Sequence, residues 1–438
     1  MDDLNTNLPP KQQCKVCLIQ VGARLHYAAP AALARANALR ALVTDANGKN
    51  FGSIKRRLEV FAPKSFARLN GRTIPPEVPQ ECVHSSLWPT IELSLAAKAG
   101  PRLGQSARTQ HWLGIGGHRL AKIAIKANFF GADTLYVHPC VTTDAVQEAR
   151  RRGMRVVIEA VSHPFNKRVE LAEFARYRVP SDQSEAQVED NIDFFREEAK
   201  EADVVLAASP YVRDGLVELG VPPERIAIVR YGLDDRFFND LKVKPVPGRV
   251  LYVGAVNYLK GVPTLAAATQ LLAKDKIEVL VAGPCSSGMA GRAEFYGPRY
   301  LGQVPRSAIR HHFAEADVFA FPTLSDGFGL VLLEAMAAGL PVVSTRNCAD
   351  LVRDGENGFL VPDRDPEALA EAVRTIVRNR ELRERFSRAA RETASHHTLS
   401  EYSRSLARAV TGVVSDCKPP VYLPTERLPN FDPAAAES

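Results

Sequence analysis

Cysteine is scarce, with 7 scattered residues in 438, an odd number that gives no sign of a disulfide framework. Such usage is expected of a chain kept in a reducing compartment, here the cytoplasm. Cys14-Lys-Val-Cys17 is a lone CxxC running into the apolar stretch Leu18–Val21. A zinc site needs a second ligand pair, and none is suitably spaced, so the two are read as thiols on or beside a first strand. No apolar run approaches the roughly 18 residues needed to cross a bilayer. Met1–Gln13 is polar and carries Asp2 and Asp3, without the basic and apolar regions of a signal peptide. Repeats of solenoid type are absent, as is GxxxxGK followed by Ser or Thr, which argues against a P-loop ATPase. No Asp-x-Asp cluster, the lone Asp363-Arg-Asp365 included, and no His/Asp triplet is read as requiring a metal. No recognised nucleic-acid module is present.

What is present is ordinary in bulk and uneven in distribution. Hydrophobic residues at 45% and charged residues at 24% exclude a chain disordered throughout. The length predicts two to four domains. The formal charge of +6 hides a split. Residues 1–156 hold 22 Lys and Arg against 10 Asp and Glu, a surplus of 12, while the remainder holds 34 against 40. Such a split points to a first half that meets something anionic.

Short apolar runs alternate with helically spaced stretches. In the first half strands are predicted at Val16–Val21, Thr134–Val137, Val156–Glu159, Val204–Ala207 and Ile226–Val229. Helices are predicted at Pro30–Leu42, Arg119–Asn128, Asp144–Arg152, Asn191–Ala202 and Tyr211–Leu219. The second half offers strands Val250–Val253, Ile277–Ala282, Val318–Phe321 and Val342–Ser344, then helices Glu367–Arg378, Glu381–Glu392 and Leu399–Val410. This alternation predicts an α/β protein of two doubly wound, Rossmann-like domains facing a cleft. The predicted boundaries are a first domain over 1–235, a linker over 236–247, a second domain over 248–395, a helix over 396–415 free to cross back, and a Pro-rich tail over 416–438.

The clearest chemistry lies in the second half. A strand ending near Phe321 leads through Ser325-Asp326-Gly327-Phe328-Gly329 into a helix over about Gly329–Ala338, closed by Gly339 and Pro341. That helix is apolar all round except for Glu334, so it is expected to be buried. A buried carboxylate needs hydrogen bonds, either from a neighbouring basic or amide side chain or from the hydroxyls of a ligand. Gly327 and Gly329 let backbone approach a ligand, and the helix start offers unpaired amides to an anion. Asp326 can equally serve as the N-cap of that helix. After Val250–Val253 a second loop, Gly254–Pro263, brings Lys260 to a helix start, where its charge opposes the helix dipole unless an anion lies between them. A solvated surface lysine is the plainer account. Together the two loops suggest a diphosphate. Gly114-Ile-Gly116-Gly117 follows no strand and is a weak signal.

These residues resemble the retaining nucleotide-sugar glycosyltransferases of family four, which have the GT-B fold. Asp326–Glu334 fits that family's E-x7-E motif with Asp in the first place. The continuation Glu334–Ser344, the segments Glu356–Val361 and Ser209–Gly215, and Arg230-Tyr-Gly-Leu-Asp234 resemble it too, the last at the join of the two domains. The resemblance is strong from Ser209 onward and weak over the first 150 residues. It implies that Glu334 binds the donor's ribose, that Asp326 faces the donor sugar, and that backbone at Phe328, Gly329 and Leu330 cradles the diphosphate with Lys260. Gly254 would border the donor, and Gly302-Gln-Val304 would hold the base, read by backbone near Val304. His163, in Glu159-Ala-Val-Ser-His163-Pro, stands where that family places an active-site histidine touching the transferred sugar; a plain loop histidine before Pro164 is the alternative. Glu159 is a second candidate at the same strand end. Gly22-Ala-Arg24 stands for the family's glycine-rich first loop, with Arg24 supplying charge on the acceptor or phosphate side.

Two departures stand out. Ala255 replaces the Arg that usually follows the glycine matching Gly254, and Asp326 is one methylene shorter than Glu. The implied chemistry is attack by the acceptor on the leaving-group face, with the protein supplying position and charge through Lys260 and helix-start amides. No cofactor or metal is expected; the donor is a nucleotide-diphosphate sugar. The acceptor, carbohydrate or lipid-linked, falls to the first domain, as in cell-surface polysaccharide or glycolipid synthesis. Its basic residues are Lys55-Arg56-Arg57, Lys64, Arg68, Arg72, Lys98, Arg102, Arg108 and Arg150-Arg151-Arg152. With apolar spacing from Ile54 to Leu69 they suit an anionic membrane surface, hence a peripheral position at the inner face; a solvated basic face is the plainer account of any single cluster. Nucleic acid is not an expected partner. A glycosidase using Asp326 and Glu334 would need no diphosphate cradle, and a nicotinamide oxidoreductase would need a strand–GxGxxG–helix followed by an acid, which is missing. From another class, a degenerate nucleotide-sugar-binding scaffold or sensor is kept open by Ala255 and Asp326.

Overall fold

The computed structural model describes residues 14–45, 72–86, 105–139, 143–234, 244–286, 289 and 291–412. The first domain is a seven-stranded parallel sheet ordered β3-β2-β1-β4-β5-β6-β7. Its strands are β1 (Val16–Gln20), β2 (Leu39–Thr44), β3 (Val83–Ser85), β4 (Thr134–Val137), β5 (Arg155–Ala160), β6 (Val204–Ala207) and β7 (Ile226–Ile228). The helices are α1 (Ala28–Arg35), α2 (Gln105–Lys126), α3 (Thr143–Arg151), α4 (Asn166–Arg176), α5 (Glu185–Lys200) and α6 (Pro210–Leu219). The central strands are buried along their length because both faces of the sheet are covered. One core lies beneath α2, α3, α5 and α6, and another beneath α1.

The second domain repeats the plan with six parallel strands ordered β10-β9-β8-β11-β12-β13. They are β8 (Arg249–Val253), β9 (Glu278–Ala282), β10 (Arg299–Gly302), β11 (Val318–Phe321), β12 (Val342–Ser344) and β13 (Gly358–Leu360). Its helices are α7 (Val262–Leu272), α8 (Arg306–Glu315), α9 (Leu330–Ala338), α10 (Pro366–Arg378) and α11 (Arg380–Ser395). A last helix, α12 (Leu399–Thr411), buries Tyr402, Leu406 and Val410 in the first domain's α1-side core. The chain returns beside the outgoing connection: Leu233 N–H donates to His397 O and Leu399 N–H to Leu233 O, at 2.9 and 3.0 Å. Gly232 is required there, because a Cβ would lie 2.1 Å from Thr398 O.

The helix predicted at Pro30–Leu42 is corrected. It stops at Arg35, turns through Asn37 at φ 53°, and Leu39–Thr44 runs on as β2 beside β1. Gly114, Gly116 and Gly117 lie inside α2 and belong to no loop. In both sheets the strand order reverses beside a central strand, between β1 and β4 and between β8 and β11. Ligands of open α/β sheets bind at the carboxyl ends of the strands at such switch points. Among the described residues, no helix is long and apolar enough to cross a membrane.

Candidate functional site

At the second switch point, the loop after β8 and the loop after β11 are locked together by backbone. Leu324 N–H donates to Leu259 O at 2.9 Å, and Gly261, at φ 65°, sits so tightly under Pro322 that a Cβ would meet its carbonyl at 1.8 Å. Asn257 Oδ1 accepts the Lys260 N–H at 2.9 Å and fixes that turn. The lysine is thereby aimed across the gap. Its Nζ donates to Asp326 Oδ2 at 2.6 Å and to Ser325 O at 3.1 Å. The other carboxylate oxygen, Oδ1, accepts the amides of Phe328 and Gly329 at 3.1 and 2.7 Å.

Three predicted groups therefore meet at one point, with a different occupant from the one expected. The Asp326 carboxylate takes up Lys260 and the amides expected to face a diphosphate. Nor is Asp326 the N-cap of α9: that position is Gly329, in left-handed conformation, and Asp326 braces the turn before it. Glu334 also needs correction. Helix α9 buries Leu332, Leu333, Ala335, Met336 and Ala338, while Leu330, Val331, Glu334 and Ala337 form a partly exposed stripe. The carboxylate lies on the accessible side of the helix, so the apolar sequence around it did not imply burial. Gly254 closes β8 and donates to Ala282 O at 2.9 Å, and Val304 lies partly buried in the loop between β10 and α8.

The first domain reaches this site through the Ser209–Gly215 segment. Ser209 Oγ accepts the Val212 N–H at the start of α6 and donates to Gly327 O at 2.6 Å. Tyr211 OH donates to Ser325 Oγ at 3.1 Å. The Tyr211 ring stacks on His163 at 4.3 Å between centroids, and Gly215 leaves room for that imidazole, since a Cβ would sit 2.4 Å from Nε2. Burial lowers the His163 pKa, against the pull of Glu218 and Asp214. Gly327 packs on the His163 loop, where a Cβ would lie 2.1 Å from Val161 O. His163 is thus held between α6 and the Asp326 loop.

A second group stands at the first switch point, of which sequence reasoning named Glu159 and Arg24 and missed His138, Gln20 and the tyrosines. His138 follows β4, and Glu159 stands near the end of β5, receiving Tyr136 OH at 2.6 Å and Tyr231 OH at 2.9 Å. With Gln20 and Arg24 after β1, they line a cavity of about 240 Å³. The ring of Tyr231 packs on Phe328 at 5.2 Å, linking this cavity to the loop of the second domain. The signal available in the sequence was position: polar residues where apolar strands end.

Parts of the basic surface are neutralised internally. Arg72 pairs with Asp45 at 2.7 Å, Arg150 with Asp203 at 3.0 Å, and Arg151 and Arg152 both with Glu148 at 2.6 Å. Arg108 lies on α2. Lys55, Arg56, Arg57, Lys64, Arg68, Lys98, Arg102, the apolar positions from Ile54 to Leu69, and the tail fall outside the described residues. Among the described residues, no three His, Cys, Asp or Glu side chains gather in a group that could hold a metal.

The chain is similar to known proteins, in sequence over its second half and in fold over most of its length. Residues 234–393 match the family glycosyl transferases group 1. The matching segment contains the whole Lys260–Glu334 face. Over 245 residues the chain is 32% identical to a D-inositol 3-phosphate glycosyltransferase of Geodermatophilus obscurus, covering 49% of this chain and 54% of that protein. The chain spans about half the length of the curated relatives it matches. Among solved structures it is similar to sucrose-phosphate synthase of Thermosynechococcus elongatus, at TM-score 0.63 and 17% identity over 90% of this chain and 98% of that one. HepE of Anabaena in complex with UDP and glucose gives 0.60 and 17%, over 91% and 100%. The fold is GT-B, carried by the matching segment and the sheet domain before it.

Proposed function

We propose that this chain is a retaining glycosyltransferase that moves a hexose-type sugar from a nucleotide-diphosphate donor to a carbohydrate or lipid-linked acceptor, without a metal. The observation that carries this reading is the convergence of Lys260 Nζ and the Phe328 and Gly329 amides on one carboxylate at the second switch point. A place that gathers a cation and two backbone donors around an anion is suited to a leaving diphosphate. In this reading Asp326 swings aside when the donor enters, and then faces its sugar. Glu334, on the accessible stripe of α9, takes the ribose hydroxyls, and the Gly302–Val304 loop takes the base.

Breaking the anomeric C–O bond leaves negative charge on the diphosphate, which Lys260 and the preset amides stabilise without reorganising at the moment of reaction. His163, with its pKa lowered by burial, is neutral and offers a hydrogen bond to the transferred sugar rather than a charge. A role in cell-surface polysaccharide or glycolipid synthesis, at the cytoplasmic face of a membrane, belongs to the same proposal. The relatives' names support sugar transfer as the class.

The test is incubation of the full chain with radiolabelled UDP-, GDP-, ADP- and dTDP-sugars, with and without EDTA, and the anomeric configuration of any product read by NMR. Transfer with retention, unaffected by EDTA, is expected. Inversion, a requirement for metal, or failure to bind any nucleotide sugar overturns the reading. The Lys260–Asp326 pair and Ala255 favour one alternative, a nucleotide-sugar-binding scaffold or sensor. It predicts saturable donor binding with no turnover in this same assay.

A further inference from the structure

Helix α4 is shared between the two domains. Phe165 and Leu171 pack into the first domain's core, whereas Phe174, Tyr177 and Val179 pack against the core of the second. The 11 residues of the helix span about 16 Å at roughly 1.5 Å per residue. Its near end hangs on His163: Asn166 N–H donates to His163 O at 3.1 Å and Phe165 N–H to Nδ1 at 3.3 Å. Its far end closes on Tyr258, two positions before Lys260. The Tyr177 ring stacks on Tyr258 at 5.0 Å between centroids, and Phe174 meets the same ring edge-on at 5.7 Å. Tyr258 O accepts the Gly261 N–H at 2.9 Å, so this residue frames the turn that aims Lys260.

Polar groups of the second domain hold this far end in place. Glu173 is 3% exposed, and Arg364, from the loop after β13, donates Nε to Glu173 Oε1 at 2.6 Å. A carboxylate is kept in such a place only when it is paired. Arg292 donates Nη2 to Tyr177 O at 2.9 Å, taking up a carbonyl that the end of α4 leaves open. The same guanidinium donates Nε to Glu294 Oε1 at 2.6 Å, and that oxygen accepts the Tyr258 hydroxyl at 2.5 Å. The contacts run in a circuit, from Tyr177 to Arg292, Glu294 and Tyr258 and back through the stacked rings. A stacked pair alone leaves two rings free to slide; the circuit fixes where α4 ends relative to the turn.

We infer that Glu173, Phe174 and Tyr177 are positioning residues for sugar transfer: through α4 they set the spacing between His163 and the Lys260 turn. The assignment rests on the donor reading, in which His163 meets the transferred sugar and Lys260 the leaving diphosphate. Those two groups belong to different domains, so neither sheet by itself fixes their separation. The Ser209 and Tyr211 hydroxyls reach the Asp326 loop, and α4 is the piece that reaches the Lys260 turn. The anion site needs no help from α4, since the Leu324–Leu259 and Asn257–Lys260 bonds and the Phe328 and Gly329 amides build it within the second domain. Loss of the far end therefore acts on the reaction and spares binding. Misplacement by about 1 Å is enough to slow a positioned reaction about a hundredfold.

The experiment combines amide hydrogen exchange, nucleotide binding and turnover on the full chain. Tyr177→Ala should speed exchange of the Lys260 and Gly261 amides about tenfold or more and leave the amides of β11 as in wild type. Affinity for the nucleoside diphosphate that the chain takes, from UDP, GDP, ADP and dTDP, should stay within about threefold. The kcat for the matching radiolabelled nucleotide sugar should fall about tenfold or more. Tyr177→Phe keeps the ring and should restore exchange and kcat to within about threefold of wild type. Arg230→Gln, which breaks the 2.6 Å bond to Asp350 of the second domain, is the control for a contact that merely joins the domains. It should lower Tm and leave the Lys260 and Gly261 amides and kcat close to wild type. Unchanged exchange in Tyr177→Ala, or a kcat no lower than that of Arg230→Gln, overturns the assignment while nucleotide binding stands. A wild type that binds none of the four nucleotides, or turns none of their sugars over, overturns the donor reading and the assignment with it.

Discussion

Lys260 Nζ lies 2.6 Å from Asp326 Oδ2, while Oδ1 of the same carboxylate holds the amides of Phe328 and Gly329. A side chain one methylene longer would place its charge elsewhere. Here aspartate fits into the donors of its own loop and acts as an internal anion. Any diphosphate arriving at this point competes with it. Asp326→Asn keeps an oxygen for the two amides and removes the charge opposite Lys260. UDP should then bind about tenfold more tightly, a gain of about 1.4 kcal/mol, while sugar transfer falls. Calorimetry with UDP checks this, and an unchanged or weaker affinity sinks it.

Lys260→Ala should move UDP affinity the other way. A hydrogen bond to a charged group contributes about 1.5–3 kcal/mol, so the loss is at least tenfold. Adding Asp326→Asn to that variant should restore only part of the loss. Equal additivity in the double-mutant cycle would mean that the two side chains do not share one anion site.

Glu334 is on the accessible stripe of α9, so its replacement is a test of binding rather than of folding. Glu334→Gln keeps the length of the side chain and should shift unfolding stability by about 1 kcal/mol or less, the size of an ordinary point change, while the affinity for nucleotide sugars drops. A variant that binds nucleotide sugars as wild type does would remove Glu334 from the site.

The sequence made the loop site of the second domain legible because its chemistry lies in loops, where glycines and a lone lysine stand out between apolar strands. It also showed most strands, since runs such as Thr134–Val137 and Val318–Phe321 coincide with the elements observed. β2 was hidden because Ala31–Val43 is alanine- and leucine-rich at helical spacing, and its break at Asn37 carries no glycine or proline. β3, Val83-His-Ser85, and β13, which opens on Gly358, are as short as β7 and β12 but do not open on the apolar run that marks those two. What lay beyond the sequence is whatever depends on distant pieces meeting. Asp326 finds Lys260 across 66 positions. Tyr402 reaches the cavity of the first domain only because α12 crosses back.

Gly215 and Ser209 make a prediction about position. Gly215→Ala would drive a methyl group to 2.4 Å from His163 Nε2. Overpacking of this kind costs about 1–3 kcal/mol, and the imidazole must move. The expected result is a changed His163 NMR resonance and lower kcat with donor affinity preserved. Ser209→Ala removes the α6 cap, at about 1 kcal/mol, and loosens Gly327 as well. If Gly215→Ala leaves both the His163 resonance and kcat as in wild type, the stacking on Tyr211 is not what seats that histidine.

His138 makes the last prediction, on pH. Its pKa is lowered by burial to about 4, against an ordinary 6.5, with Glu159 pulling it up and Arg24 pushing it down. Between those two values the unfolded chain binds a proton that the folded chain refuses. Stability from this group is therefore fully present above pH 6.5 and is lost as pH falls through 4. At 1.36 kcal/mol per pKa unit the ceiling is about 3 kcal/mol. Other carboxylates titrate over part of the same range, so the measurement is a difference: urea unfolding of wild type and His138→Gln at steps from pH 7.5 to 4. The wild type should lose stability faster than the variant over that window, and the gap should be flat above pH 7. Parallel curves from 7.5 to 4 would mean that His138 is not held neutral, and the cavity would then carry a positive charge where a neutral donor and acceptor are expected.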